Sequence, residues 1–382
     1  MKDLALETQL FKYHSVHSQI IEFAGFKMPL WFEGIVPEVL AVRNASGLFD
    51  VSHMGRAFVK GRDAERYLDY LTPSATSKLN PGEAHYTVMC NERGGVVDDM
   101  VVLRLDADMF LTVFNAANRE KDLKWMNNHS KSFDVKIEHV SDNMAMIAVQ
   151  GPKARLILRE LSGDEVENIG RFRCGQLNIA GEPCIASGTG YTGEDGLEIF
   201  IPEASAQKPG RALSIWGSIL THGGPHGLKP CGLGARDVLR IEAGMCLYGQ
   251  ELTEEITPYE ARIGFVVKLD KGADFIGRNA LEKQKSEGVE KVRIGLKMIE
   301  KGVPRSGYPI KSDEQVIGEI TSGTFSPTLK AGICMGYVPK EYSKRGSILQ
   351  VDIRGKTVDA EVVGFPFYDT SKYGWMRVQT GP

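Results

Sequence analysis

Two adjacent carboxylates in the stretch "NERGGVVDDMVVLRL" are the first residues of the chain whose types and spacing could do chemistry. If residues 96–105 form a strand, Asp98 and Asp99 point to opposite faces, and each has apolar neighbours on its own face. A carboxylate buried among apolar side chains is costly unless it is hydrogen-bonded, protonated or engaged with a ligand. A structural alternative stays open, in which one aspartate caps the Gly94-Gly95 turn and the other is solvated at a strand end.

A third carboxylate, Glu198, lies between Leu197 and Ile199 in "GYTGEDGLEIF". Carboxylates beside apolar walls suit flat heterocycles with adjacent N–H donors, because the two oxygens can accept two parallel hydrogen bonds. The alternative is a solvent-facing glutamate on a half-buried hairpin.

Just before this carboxylate, Gly188, Gly190 and Gly193 form a G-x-G-x-x-G spacing. A dinucleotide site requires a helix after this fingerprint, because the helix N-terminus holds the pyrophosphate. The residues that follow, "LEIFIP", instead have the composition of a strand. The sequence therefore favours a glycine-rich hairpin with a turn at Asp195-Gly196 over a dinucleotide cradle.

Three further polar residues are candidates, and two of them, Arg236 and His53, have two interpretations each. Arg236, near the start of a helix predicted over 234–244, could clamp a ligand carboxylate or pair with a neighbour. Asp237 in the first turn of that helix would favour the helix dipole, which is a structural role. His53 in "FDVSHMG" could act as a base, although a lone histidine is more often a satisfied core or loop residue.

The composition is that of an ordinary globular protein: 382 residues, 42% hydrophobic and 25% charged, which suggests two or three domains. The formal net charge of −3 argues against a nucleic-acid partner. No run approaches eighteen apolar residues, so we expect no membrane span. Six scattered cysteines without C-x-x-C spacing and an N-terminus without a signal-peptide core predict a cytoplasmic protein with reduced thiols. No hydrolase, zinc or Walker motif is present, and we expect no metal site.

The elements that must position these residues change in character along the chain. Residues 3–22 have weak helical periodicity, and residues 23–31 resemble an apolar loop. The first 270 residues mix helix and strand patterns, whereas short alternating runs dominate beyond about residue 272. Short strands at this spacing predict a small antiparallel barrel or sandwich, with residues 278–286 as a helical connector.

Eight strings stand in order between residues 22 and 368: "EFAGFKMPLWF", "LFDVSHMG", "NERGGVVDDMVV", "QGPKA", "GYTGEDGLEIF", "GLGARDVLRIEAGMCLYG", "ITSGTFSP" and "PFYD". Together they resemble the aminomethyltransferase (T-protein) family of the glycine cleavage system. The resemblance implies an α+β, three-domain cloverleaf around a central folate channel. It implies a discontinuous first domain (1–50 plus 140–272), a second domain (51–139) and a C-terminal antiparallel β-barrel domain (273–382).

The resemblance also implies a reaction. The methylene unit would move from the aminomethyl-dihydrolipoyl arm of the H-protein to tetrahydrofolate, with release of ammonia. Two alternatives stay open. One is a folate-dependent demethylase of a small sulfonium or methylamine donor, and the other is a non-catalytic folate-binding module.

The matching positions imply roles for particular residues. Asp99 would be the catalytic carboxylate beside the folate N10, Glu198 would bind the pterin N3–H and 2-amino group, and Arg236 would contact the folate. Further folate-binding positions are Met54, Tyr86, Asn115, Asn118 and Tyr191, with Tyr373 as a looser match. Some relatives have an aromatic residue at the positions of Leu103 and Met245 and a tryptophan at the position of Phe265, so folate affinity is expected to differ more than reaction type.

Overall fold

The computed structural model of the chain describes residues 5–377. The α-helices of this part of the chain are α1 (Phe11–His17), α2 (Ile35–Asn44), α3 (Ala64–Leu71), α4 (Arg119–His129), α5 (Ala154–Ser162), α6 (Gly210–Gly223), α7 (Leu233–Ala243) and α8 (Arg278–Glu287). The β-strands are β1 (Leu6–Glu7), β2 (Gln19–Phe23), β3 (Phe26–Trp31), β4 (Ser46–Asp50), β5 (Gly55–Lys60), β6 (Glu83–Cys90), β7 (Val96–Asp106), β8 (Met109–Phe114), β9 (Lys136–His139), β10 (Met144–Gln150), β11 (Cys174–Ile179), β12 (Glu182–Ser187), β13 (Gly196–Pro202), β14 (Leu228–Cys231), β15 (Lys291–Met298), β16 (Pro309–Ser312), β17 (Gln315–Ser326), β18 (Ala331–Pro339), β19 (Ile348–Ile353) and β20 (Lys356–Val363). Within residues 5–377, none of the helices combines the length and the apolar character that crossing a membrane takes.

The N-terminal segment differs from its predicted structure. Strands β1, β3 and β2 form a small sheet, and α1 is only a short helix between two of these strands. The prediction of a loop over residues 23–31 was wrong, because β2 and β3 pair as an antiparallel hairpin. Ala24 and Gly25 both have positive φ in its turn, which is the geometry that a tight hairpin requires. Apolar residues without alternation concealed this strand, since β3 is buried on both faces at several positions.

Two larger sheets form the body of the molecule. One has the strand order β11-β12-β13-β10-β4-β14, and the other has the order β6-β7-β8-β5-β9. A shared hydrophobic core fills the space between them, with Phe49 and Phe200 from the first sheet and Leu103 and Leu111 from the second. Helices α5 and α6 cover the outer face of the six-stranded sheet. Helices α3 and α4 cover the outer face of the five-stranded sheet.

The glycine-rich stretch is a hairpin loop between β12 and β13, which pair as antiparallel strands. No helix opens after it, so the prediction of a hairpin is confirmed and the dinucleotide cradle is excluded. Gly193 has a φ of +78°, and a Cβ there would lie 2.1 Å from the Tyr368 hydroxyl. The loop therefore requires glycine at this position for both backbone conformation and packing.

The C-terminal region is a closed barrel of six strands in the order β15-β18-β17-β16-β19-β20. Every neighbouring pair is antiparallel, so the predicted antiparallel barrel is confirmed, and α8 precedes it as the connector. The five-stranded sheet is built from residues 55–139, and the six-stranded sheet from residues 46–50 and 144–231. The three-domain boundaries given above stay a prediction.

Candidate active site

The two sheets place Asp99 and Glu198 in the same layer of the protein. Along β7, Val101 and Leu103 pack into the core between the sheets, and along β13 Phe200 packs into the same core. Side chains two residues apart in a strand share a face. Asp99 and Glu198 therefore both project into the space between the sheets, although they are far apart in the sequence.

Asp99 is held by two hydrogen bonds. Asn115 Nδ2 donates to Asp99 Oδ1 at 2.7 Å, and the Tyr86 hydroxyl donates to Oδ2 at 3.0 Å. The side chain is half-buried, and burial followed by the negative charge of Asp98 raises its pKa to about 7. Near neutral pH, Asp99 can therefore exist as a carboxylate or as an acid with little free-energy difference between the two.

Asp98 lies on the opposite face of β7, with Met100 and Val102, which pack under α3 and α4. Its carboxylate is fully buried and accepts three hydrogen bonds. The donors are the Asn115 backbone N–H at 3.0 Å, Asn115 Nδ2 at 2.8 Å and Asn118 Nδ2 at 2.9 Å. Asn115 thus bridges both aspartates, whereas Asn118 contacts Asp98 rather than Asp99. The turn-capping alternative for these aspartates does not describe either of them.

Glu198 is buried and only partly satisfied. Thr189 Oγ1 donates to Glu198 Oε2 at 2.5 Å, and no donor from residues 5–377 reaches Oε1. Ser187 lies directly opposite on β12, and its buried hydroxyl has no hydrogen-bond partner in the described part of the chain. Burial raises the pKa of Glu198, while the Thr189 hydrogen bond and the charge of Arg236 oppose the rise. The solvent-facing alternative for this glutamate is wrong, since only 8% of the residue is exposed.

Arg236 projects from α7 toward the same region. Its guanidinium lies 4.7 Å from the centre of the Tyr191 ring, and Glu198 is close enough to favour its charged form. No carboxylate of residues 5–377 forms an ion pair with it, and Glu198 acts on it only through its charge. The clamp interpretation stays a prediction, whereas an ion pair with a neighbouring carboxylate is not found in the described residues.

Asp237 differs from its prediction. Helix α7 begins at Leu233, so Asp237 lies in the second turn rather than the first. Its carboxylate accepts a hydrogen bond from Arg240 Nε at 2.9 Å, which is a structural role of a different kind.

The other predicted positions differ in their burial and in their contacts with these groups. The Tyr191 hydroxyl donates to the Cys246 carbonyl, which ties the glycine-rich loop to the segment after α7. Met54 is half-buried at the edge of the core between the sheets. Phe265 is 64% exposed, and its ring centre lies 6.3 Å from that of Tyr86. Leu103 is fully buried in the inter-sheet core, so an aromatic residue there would change packing rather than line the site.

His53 is a buried core residue, but it is not a satisfied one, because its Nδ1 has no hydrogen-bond partner among residues 5–377. The ring is buried and packs edge-on against Phe23 at 5.8 Å between centroids. Burial and then the positive charge of Arg236 lower its pKa to about 3, so the imidazole is neutral at physiological pH.

Tyr373 lines a separate cavity of about 160 Å³ beside the glycine-rich loop. Gly193, Met245 and Trp375 also line it, whereas Asp99, Glu198 and Arg236 do not. Met245 directly precedes Cys246, whose carbonyl holds Tyr191, so this cavity adjoins the site through one residue.

Sequence reasoning missed Thr189 and Ser187, which flank Glu198. Thr189 lies inside the G-x-G string, so its hydroxyl could have been proposed as a partner for the nearby glutamate. Ser187 faces Glu198 only because of the antiparallel register of β12 and β13, which no local pattern reveals.

Comparison with known proteins covers nearly the whole chain. Residues 11–271 match the family described as the GCVT N-terminal domain, and residues 291–369 match the glycine cleavage T-protein C-terminal barrel domain. The aminomethyltransferase of Caldanaerobacter subterraneus subsp. tengcongensis is 48% identical over 364 residues, covering 95% of this chain and 96% of that protein. The aminomethyltransferase of Bacillus pumilus is 44% identical over 96% of this chain and 99% of that protein.

The chain belongs to the glycine cleavage T-protein family. The recognition based on the eight strings is therefore confirmed, and so is the expectation of an enzyme. The crystal structure of the glycine cleavage system aminomethyltransferase T from Bartonella henselae has the same architecture. It is 31% identical, with a TM-score of 0.87 over 97% of this chain and 99% of that chain. This T-protein fold confirms the α+β fold class with its C-terminal barrel.

Proposed function

We propose that this T-protein family member moves the methylene unit of an aminomethyl group from the lipoyl arm of the H-protein to tetrahydrofolate and releases ammonia. The observation that carries the proposal is the position of Asp99 and Glu198 in one layer between two sheets. Arg236 is directed toward the same layer, with no carboxylate partner among residues 5–377. Two carboxylates and a free guanidinium form a site for a ligand that is a hydrogen-bond donor at one end and becomes cationic at the other.

The residues around Glu198 fit a pterin. Its free oxygen Oε1 and the unpartnered Ser187 hydroxyl provide hydrogen-bonding capacity that the described part of the chain does not use. A carboxylate can accept two parallel hydrogen bonds from adjacent N–H groups, which the pterin edge presents. Bound tetrahydrofolate would supply the two amine nitrogens that take up the transferred carbon.

The role of Asp99 in this proposal is electrostatic and positional. Departure of ammonia from an aminomethyl thioether leaves positive charge on the methylene carbon and sulfur. A carboxylate that is already oriented by Tyr86 and Asn115 stabilises that charge without reorganisation at the moment of reaction. Partial burial of Asp99 between the sheets strengthens the interaction.

Family membership supports the lipoylated H-protein as the donor, and the composition supports a cytoplasmic location. The exposed ring of Phe265 beside Tyr86 supports an approach from that side, because Tyr86 contacts Asp99 directly.

The proposal is tested by mixing the purified protein with aminomethyl-loaded H-protein and tetrahydrofolate. We expect ammonia and 5,10-methylenetetrahydrofolate in equal amounts. When the H-protein or the folate is omitted, both products should form more slowly than in the complete mixture or not at all. Formation of 5-methyltetrahydrofolate from a small sulfonium donor without H-protein would instead support the demethylase. Folate binding with no turnover of either donor would support the non-catalytic module.

A further inference from the structure

A second buried carboxyl group lies beside Asp98, on the face of β7 opposite to Asp99. Asp122, in the first turn of α4, is fully buried and lies next to Asp98. Neither of its oxygens accepts a hydrogen bond from a donor among residues 5–377. An unpaired buried carboxylate costs several kcal/mol, roughly the penalty for burying any isolated ion. The group must therefore differ from an ordinary aspartate.

A shared proton resolves this arrangement. Two carboxylates cannot hydrogen-bond to each other, but an acid can donate to a carboxylate. Asp98 already accepts hydrogen bonds from N–H groups of Asn115 and Asn118. Because these donors stabilise a carboxylate, Asp98 is the member of the pair that retains the negative charge. Burial, followed by the hydrogen bond to Asp98 and the charge of Asp98, raises the pKa of Asp122 to about 11.

We propose that Asp122 is a positioning residue. It is a permanently protonated acid that donates a hydrogen bond to Asp98. This hydrogen bond weakens the electrostatic effect of the Asp98 carboxylate on Asp99. The link to Asp99 is Asn115, whose Nδ2 lies 2.8 Å from Asp98 Oδ1 and 2.7 Å from Asp99 Oδ1. This inference rests on the proposed function for the consequence at Asp99. The protonation of Asp122 does not depend on that function.

The other ionisable groups around the three aspartates do not change the charge of this cluster near neutral pH. Burial raises the pKa values of Tyr86, Tyr191, Tyr248 and Cys246, so all four are neutral near pH 7. Lys121 is the positive group of this cluster, and its Nζ donates to the Tyr248 hydroxyl at 2.9 Å and to the Val97 carbonyl. In the described residues, no group of three or more His, Cys, Asp or Glu is arranged to hold a metal ion.

The protonation state is tested by carboxyl NMR of protein carrying ¹³C at the aspartate side-chain carboxyls, without substrate. Ordinary aspartates are ionised from about pH 6 to 8, whereas we expect one carboxyl resonance to keep the chemical shift of a protonated acid over this range. The signal should be lost in Asp122→Asn and kept in Asp108→Asn, which removes an exposed aspartate. A wild-type spectrum without a protonated acid at neutral pH would overturn the proposal.

The effect on Asp99 is tested by its titration midpoint in the same spectra. Asp98→Asn removes a negative charge and should lower the midpoint by about one pH unit. Asp122→Asn replaces one neutral donor with another, so the midpoint of Asp99 should change by less than about 0.3 pH unit, where a full unit corresponds to about 1.36 kcal/mol. Asp122→Ala removes the donor and should raise the midpoint. A fall of the midpoint in Asp122→Asn, as large as that in Asp98→Asn, would show that Asp122 is charged and would contradict the inference.

Activity measurements separate this inference from the proposed function. If Asp122→Asn releases ammonia with the wild-type pH profile while Asp98→Asn shifts its acidic limb, both stand. If the wild type shows no aminomethyl transfer, the proposed function fails, and the NMR result still decides the state of Asp122. Should Asp122→Ala fail to fold, the Asp122→Asn comparison alone decides.

Discussion

Two buried charged clusters of this protein differ in how completely their partners are supplied. In the first, which we call the Arg43 cluster, the guanidinium of Arg43 pairs with Glu194 at 2.9 Å and with Glu242 at 2.8 Å. It also donates to the Thr192 and Leu239 carbonyls. In the second, the catalytic-layer cluster of Asp99, Glu198 and Arg236, the carboxylates are held by neutral donors, and Arg236 has no carboxylate partner in the part of the chain that the structure describes.

The difference separates structural charge from charge available to a ligand. The Arg43 cluster connects α2 to the glycine-rich loop, and Ser326 of the barrel donates to Glu242 at 2.5 Å. Arg377 also pairs with Glu194, at 3.1 Å, so two cations balance the two carboxylates inside the fold. Breaking one of these pairs leaves a buried ion without compensation. The catalytic-layer cluster shows pKa values displaced by burial, as expected where ionisation is adjusted for chemistry.

The largest effect is expected for Arg43→Ala. Loss of the guanidinium leaves Glu194 and Glu242 buried with fewer donors, which should cost about 3–5 kcal/mol in the free energy of unfolding. Denaturant unfolding followed by circular dichroism measures it. Arg62→Ala is the control, because Arg62 is 81% exposed in its pair with Asp134 and should cost about 0–1 kcal/mol. Equal losses in the two variants would contradict the distinction between the clusters.

Asp99→Asn should mainly change the rate. The amide keeps the size of the side chain but removes the charge, so kcat for ammonia release should fall by about 10²–10³. Steady-state assays with the H-protein and tetrahydrofolate measure it, with Asp108→Asn as the control. A kcat within about threefold of wild type, a difference below 1 kcal/mol, would remove Asp99 from the mechanism.

Arg236→Lys tests the free guanidinium. Lysine keeps the charge but loses the planar fork of donors and the stacking on Tyr191. We expect the KM for tetrahydrofolate to rise roughly 10- to 100-fold with a smaller change in kcat, in line with the loss of one or two charge-assisted hydrogen bonds. Arg62→Lys is the matched exposed control, and an unchanged KM would return Arg236 to a purely structural role.

The pH dependence of Asp99 is a further test of the catalytic-layer cluster. In the proposed mechanism the ionised form of Asp99 is the active one, so the rate should rise with pH through about 7. For stability, the folded pKa lies above the unfolded value, so the folded state binds the proton more tightly. Wild type should therefore lose stability relative to Asp99→Asn as pH rises from about 4 to about 7, and the difference should then level off. Melting temperatures across this range measure it, and a difference that grows toward acid pH would show the opposite shift.

Local patterns in the sequence were sufficient for much of the fold. The alternation in β7, the strand composition after Gly193 and the short runs beyond residue 272 predicted a strand, a hairpin and a barrel, because they report which side chains must leave water. The same reasoning failed for β3, where burial on both faces removes alternation and only pairing with β2 defines the strand.

For the site, the sequence by itself determined that Asp98 and Asp99 point in opposite directions and that Glu198 lies among apolar neighbours. Only the tertiary structure decided which aspartate enters the space between the sheets and which is covered by α4 beside Asp122. That choice depends on contacts between elements distant in the chain, since burial and neighbouring charges, rather than residue type, set the ionisation and the partners of a carboxyl group.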